Sequence, residues 1–224
     1  MSTRGLSVAL GGAAVWVVAA LVSVGSAAAE QEGPSAAPPP PDVGPSWELA
    51  LSGALYVLPN EADFVQPTLR ADRGRLHLEA RYNYEDRHSA SFFAGANFEL
   101  GRKAKLVLTP MIGGLVGDTD GIVPALEADF TVGVFEAYAE AEYVFDLGDS
   151  SSRFFYMWSE LSLWPTEWLR FGVVTQRTRV YQTERDIQRG LLVGFTWRNV
   201  EGAFYFFNPG SDDHFAVVSV GFSF

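Results

Sequence analysis

Glu136, Glu140 and Glu142 stand close together in the run from Phe135 to Phe145. Side chains of an extended chain point alternately to opposite faces, so these three carboxylates would share one face. Like charges placed that way repel unless cations, mobile or fixed, answer them. Glu79, Glu127, Asp129 and Glu160 occupy similar positions in other segments, and Arg81 and Arg170 are basic residues that could meet them. Two roles fit this set. On the wall of a narrow aqueous passage, a surplus of carboxylates concentrates cations and repels anions. Paired with arginines across strands, the same groups merely satisfy a polar interior.

Covalent and metal chemistry find less support. The three histidines are His77, His88 and His214. His88 adjoins Ser89, but neighbours in an extended segment point apart, which works against a nucleophile and base at that place. His214 beside Asp212 and Asp213 reads as a loop residue. There is no G-x-S-x-G, no metal-spaced histidine pair and no phosphate loop. With no cysteine in the chain, thiolate chemistry, disulfides and cysteine-bound zinc drop out together. Asp118, Asp120 and the stretch from Asp146 to Asp149 lack a full calcium ligand set and read as solvated acidic loops. The expectation is no catalytic residue, no cofactor and no bound metal, with an outer-membrane hydrolase as the most distant alternative.

The elements that must hold these residues are strands. From Trp47 to Phe224 apolar residues recur at every second position, punctuated by Gly, Asp, Asn and Pro clusters. Leu76, Leu78, Ala80, Tyr82 and Tyr84 alternate with His77, Glu79, Arg81, Asn83 and Glu85; Phe135, Ala137, Ala139, Ala141 and Tyr143 alternate with Glu136, Tyr138, Glu140 and Glu142. A soluble sandwich would put the oily set in a dry core, whereas a transmembrane barrel turns it to lipid and encloses the polar set.

Composition and ends favour the barrel. The chain has 224 residues, 14% aromatic, with 16 basic against 27 acidic side chains and a formal charge of −11. That balance gives nucleic acid no electrostatic footprint. Arg4, the uncharged run Leu6 to Val24 and the exit Ala27-Ala28-Ala29 read as a signal peptide over residues 1–29. Residues 30–46, with Pro38 to Pro41, read as an extended periplasmic tether, leaving residues 47–224 for the barrel. Short turns alternate with longer, more acidic loops. Trp47, Trp164, Trp168 and Trp197 fall at the short-turn end, and Tyr56, Tyr82, Tyr84, Tyr143, Phe145, Tyr181 and Phe207 at the other, suggesting two interfacial belts.

The last segment, in which Val218, Val220, Phe222 and Phe224 alternate with Val217, Ser219, Gly221 and Ser223 and the chain stops on Phe224, resembles the terminal strand of bacterial outer-membrane barrels. That resemblance implies recognition by the barrel assembly machinery, a lipid environment in the outer membrane of a Gram-negative bacterium, and an all-β, closed antiparallel transmembrane β-barrel. Segment lengths suit strands of about 9–11 residues. The count is twelve, which returns both termini to the periplasm; ten is the alternative, because Pro67, Pro110 and Pro124 each remove a ladder donor. Arg170 and Arg177 share a face only if a bulge separates them. The expected lumen lining is Glu79, Arg81, Glu127, Asp129, Glu136, Glu140, Glu142, Glu160 and Arg170, accompanied by Glu48, Glu85, Glu99, Arg70 and Lys105. The function expected is a porin-like passive channel for small solutes or cations. The alternative is a barrel filled by its own side chains that anchors or partners an envelope component.

Overall fold

The computed structural model describes residues 7–8, 14–15, 44–59, 61–148, 153–178 and 187–224. Apart from a short pairing of Ser7–Val8 with Ala14–Val15 and the stretch from Gly44 to Ser46, the expected signal peptide and tether lie outside the described residues. Twelve strands follow. They are Glu48–Val57, Phe64–Arg73, Leu76–Tyr82, Ala90–Ala96 with its continuation Phe98–Leu100, Ala104–Val116, Gly121–Val132, Phe135–Asp146, Phe154–Leu163, Leu169–Arg177, Gln188–Trp197, Val200–Phe207 and Phe215–Ser223.

Each strand pairs antiparallel with the next. The twelfth pairs with the first, from Ala216 opposite Val57 to Ser223 opposite Ala50. Beyond that ladder, Phe224 donates its N–H to the Leu49 carbonyl at 2.8 Å, so the last residue belongs to the seam. The sheet is a closed cylinder with no edge, the arrangement that satisfies every strand without help from water.

Pro67, Pro110 and Pro124 all sit inside strands, opposite Gly53, Leu126 and Ile112, with their rings on the outer face. The ladder loses a donor at each, yet residues on both sides keep their register, so twelve strands form rather than ten. In the ninth strand the register from Met157 opposite Arg177 to Leu163 opposite Phe171 is unbroken. There is no bulge. Arg170 therefore points inward and is fully buried, while Arg177 points outward, its guanidinium 5.9 Å from the Phe155 ring.

Every strand contributes large exposed apolar side chains to the outer face, among them Leu51, Leu69, Phe92, Ile112, Leu126, Leu161, Val193 and Val220. A continuous apolar surface of this extent is a lipid-facing one. Trp47, Trp168 and Trp197 are exposed near the end where Gly44 and Phe224 lie, here called the terminal end, and Tyr82, Tyr143 and Phe145 near the loop end. Four rings expected in those belts turn inward instead. Tyr56 and Phe207 occupy inner positions of their strands, and Trp164 donates from its indole N–H to Glu136 at 3.2 Å. Tyr84 leaves the outer face because Asn83 adopts a left-handed backbone, with φ of 55°. That residue follows the last residue of the third strand, and the period-two pattern does not run through it. Tyr181 lies outside the described residues.

The lipid-facing reading makes a depth-dependent prediction. Val193→Arg, at the middle of the tenth strand, should lower unfolding stability by about 2–4 kcal/mol in lipid vesicles, whereas Trp197→Arg at its end should cost about 0–1 kcal/mol. Equal costs at the two positions would show that the outer face does not meet hydrocarbon.

Candidate functional site

The inner face of the barrel holds the chemistry. Among the described residues, ten buried carboxylates face three buried arginines and one histidine there. In register, Glu140 of the seventh strand stands directly opposite Glu127 of the sixth. Like charges so placed are destabilising unless something intervenes. What intervenes is two guanidinium groups reaching across from the second and third strands.

Arg81 reaches from the third strand across the interior. Its Nη1 lies 2.7 Å from Glu140 and also meets Glu142, while its other nitrogens meet Glu79 on its own strand. Its guanidinium packs over the rings of Tyr84 and Phe93 at 4.5 and 4.6 Å. Gly113 makes room for this stack, because a Cβ there would come within 2.5 Å of the Phe93 ring. The loop after the third strand folds in as well, so that Glu85 is fully buried, accepts from Ser91 at 2.7 Å and approaches Arg81 at 3.5 Å.

Arg70 bridges Glu79 and, at 2.9 Å, Glu127. Beside it, His77 Nδ1 is 2.8 Å from Asp72 and its Nε2 is 3.3 Å from Glu79. His77, Glu79 and Glu127 bring three potential metal-ligand atoms within 4.8 Å of one another. The Arg70 guanidinium already spans the two carboxylates of that group, so the donor set is answered by an organic cation of the protein itself.

A second hub lies toward the terminal end. Arg170 of the ninth strand meets Glu160 at 2.8 Å, Glu136 at 3.4 Å and Glu201 at 3.4 Å. Gly194, opposite it in register, leaves space for the guanidinium stem; a Cβ at that position would sit 2.6 Å from Arg170 Nε. Around both hubs, aromatic residues with polar tips complete the network. Tyr84 and Tyr138 donate to Glu140 at 2.7 and 3.2 Å, and Trp158 and Tyr205 both donate to Glu160 at 2.9 Å. Toward the loop end the interior turns apolar: Phe207 stacks on Phe215 at 4.6 Å, and Gln176 reaches from the ninth strand to the Tyr56 hydroxyl on the first at 3.1 Å.

Toward the terminal end the interior is open. A cavity of about 300 Å³ is lined by Glu48, Asp72, His77, Glu99, Lys105, Glu127, Asp129 and Tyr138, with Pro45 and Ser46 at its rim. The barrel is thus asymmetric along its axis, with an acidic vestibule, a layer of ion pairs and an aromatic plug.

The register places Glu79, Arg81, Glu127, Asp129, Glu136, Glu140, Glu142, Glu160 and Arg170 on the inner face, each no more than 7% exposed. The expected cluster Glu136, Glu140 and Glu142 divides between two fixed cations, the first going to Arg170 and the other two to Arg81. Sequence reasoning missed Glu201, although it shares a face with Ala203, Tyr205 and Phe207, and of the inward rings it placed only Tyr138. A usable signal was the repeated aromatic residue two positions before a carboxylate, as in Tyr138 with Glu140 and Trp158 with Glu160. His88 is exposed and lies 3.1 Å from Asp118, while Ser89 is fully buried and receives the Thr119 N–H. His214 Nδ1 lies 2.8 Å from the Ser211 carbonyl oxygen.

No protein-family model matches the chain, and no curated protein matches it. Among solved structures it is similar to the KdgM porin. One structure, in complex with disordered oligogalacturonate, aligns with a TM-score of 0.56 and 12% identity over 78% of this chain and 99% of that chain. A second structure of the same porin aligns with a TM-score of 0.54, again at 12% identity over 78% and 99%. The Acinetobacter baumannii outer membrane protein Omp33 aligns with a TM-score of 0.46 and 13% identity over 81% of this chain and 100% of that chain. The two KdgM alignments show that the barrel architecture is shared.

Removing one partner of a buried ion pair costs about 3–5 kcal/mol, because it strands the other charge. Arg81→Gln should therefore lower the temperature at which the folded gel band is lost. Adding Glu140→Gln to the same chain should recover part of that loss, and a double variant no more stable than the single one would show that the pair is not coupled.

Proposed function

We propose that the protein is an outer-membrane, porin-like channel of low conductance that prefers cations. The single observation that carries this reading is the charge imbalance of the inner wall, ten buried carboxylates against three arginines and one histidine among the described residues. Inside a low-dielectric cylinder such a surplus lowers the energy of a passing cation and raises that of an anion. The apolar exterior supports residence in lipid. Export by the signal peptide, and insertion through the barrel assembly machinery acting on the last strand, complete the proposal. The reading is of a non-enzymatic channel: His88 and Ser89 differ in exposure and partners, as a nucleophile and its base would not.

The oligogalacturonate named with one neighbour is a chain of carboxylates. An acidic interior repels such a polyanion, so we do not carry that ligand over to this barrel.

A second reading has its own observation. Hydrogen bonds and ion pairs span the interior, from Arg81 to Glu142 and from Gln176 to Tyr56, and the aromatic layer at the loop end is close-packed. This favours a barrel filled by its own side chains that serves as an anchor or partners an envelope protein.

Planar bilayers under a KCl gradient separate the two. A channel should give small steps with a reversal potential of cation-preferring sign. Glu48→Gln with Glu99→Gln, at the vestibule mouth, should move that potential toward zero. A barrel that inserts but stays silent supports the filled-barrel reading.

A further inference from the structure

The vestibule has features that passage of ions does not require. Its volume of about 300 Å³ is roughly that of ten water molecules and lies at the lower bound of ordinary small-ligand pockets, about 300–1,000 Å³. It is far larger than the coordination space of a metal ion. Its wall is mixed, with the carboxylates of Glu48, Asp72, Glu99, Glu127 and Asp129 outnumbering the basic groups of Arg70, His77 and Lys105, and with the amide of Asn97, the ring of Tyr138 and the apolar side chain of Val107 set among them.

Asp129 is the unusual member. It is 6% exposed and lines the cavity. One carboxylate oxygen accepts from the Thr131 hydroxyl at 3.3 Å, and the other, Oδ2, has no hydrogen-bond partner. No ion pair reaches Asp129 among the described residues, although Glu127 two positions away is held by Arg70 at 2.9 Å. A buried carboxylate with no ion pair of its own is costly, and a ligand bearing a positive charge would relieve that cost. A metal is the poorer occupant. The tightest donor set nearby, His77 with Glu79 and Glu127, is already bridged by the Arg70 guanidinium. The protein's own side chain thus demonstrates that this wall accommodates a planar organic cation.

We propose that the vestibule is a binding site for a small organic ammonium or guanidinium cation, with Asp129 as the residue that receives its charge and the neighbouring amide, ring and apolar groups accommodating its carbon skeleton. This goes beyond the channel reading and does not depend on it, because a closed barrel would keep the same vestibule.

Isothermal titration of the full chain in detergent at low ionic strength tests the proposal, with 1,4-diaminobutane as the probe. Saturable one-to-one binding is expected, weakened at least tenfold by Asp129→Asn and progressively by added KCl. Butane-1,4-diol and succinate, of like length but neutral and anionic, should give no binding. Undiminished binding to an Asp129→Asn chain that keeps its folded gel mobility would overturn the proposal, as would absence of diamine binding or equal binding of the diol. Should the variant not fold, the comparison of the three ligands on the unaltered chain decides alone. Displacement of the diamine by Mg²⁺ at equal concentration would assign the site to inorganic cations instead.

Discussion

In hydrocarbon no water is available to receive a backbone N–H or to donate to a carbonyl, and an unpaired group costs several kcal/mol. The pairing of the twelfth strand with the first is the interaction that meets this constraint, since it removes the two edges that an open sheet would present. Everything else in the molecule follows from that closure. Once the sheet is a cylinder, one set of alternate residues must meet lipid and the other must share a confined interior. The terminal phenylalanine participates directly, with its backbone bonded to Leu49 and its side chain 75% exposed on the outer face.

The confined interior then poses its own problem. Polar residues chosen to avoid lipid are brought within a few ångströms of one another, and most of the charged ones here are acidic. Arginine resolves this better than lysine would, because a planar fork can bridge two carboxylates at once. Arg70, Arg81 and Arg170 all do so, and together they tie the second, third and ninth strands to neighbours across the interior. Glycines at Gly113 and Gly194 show that the backbone was fitted to these groups, since a single Cβ would collide with Phe93 or with Arg170 itself.

Much of this was legible from period two alone. Alternation placed Glu136, Glu140 and Glu142 on one face and separated them from Ala137, Ala139 and Ala141, because in a strand that assignment needs only the parity of the position. It failed where the backbone left that period. Asn83 turns through a left-handed conformation and swings Tyr84 inward, and nothing in a parity count marks that residue as the breaking point. It failed also for amphipathic rings. A tyrosine or tryptophan suits a membrane interface and a polar interior equally well, so Tyr56 and Tyr82 are indistinguishable by type, yet one is buried and the other exposed. Partners were the least legible feature. Arg81 meets Glu142 and Arg70 meets Glu127 only because closure sets the third strand across from the seventh and the second across from the sixth, and that distance is not written in local spacing.

The axial asymmetry is the part of the structure that bears most on function. At the loop end, rings such as Phe207 and Phe215 pack on one another and need no charge. In the middle, every arginine is consumed by carboxylates. At the terminal end, carboxylates outnumber the basic groups around an open volume. A cation approaching from that end meets an attractive wall first and a fixed guanidinium layer second. Its residence in the vestibule is therefore favoured over its passage beyond. An anion is opposed at the first step. For the proposed channel this gives a bias in sign and in direction, and both depend on where the few arginines sit along the axis as well as on the surplus of carboxylates.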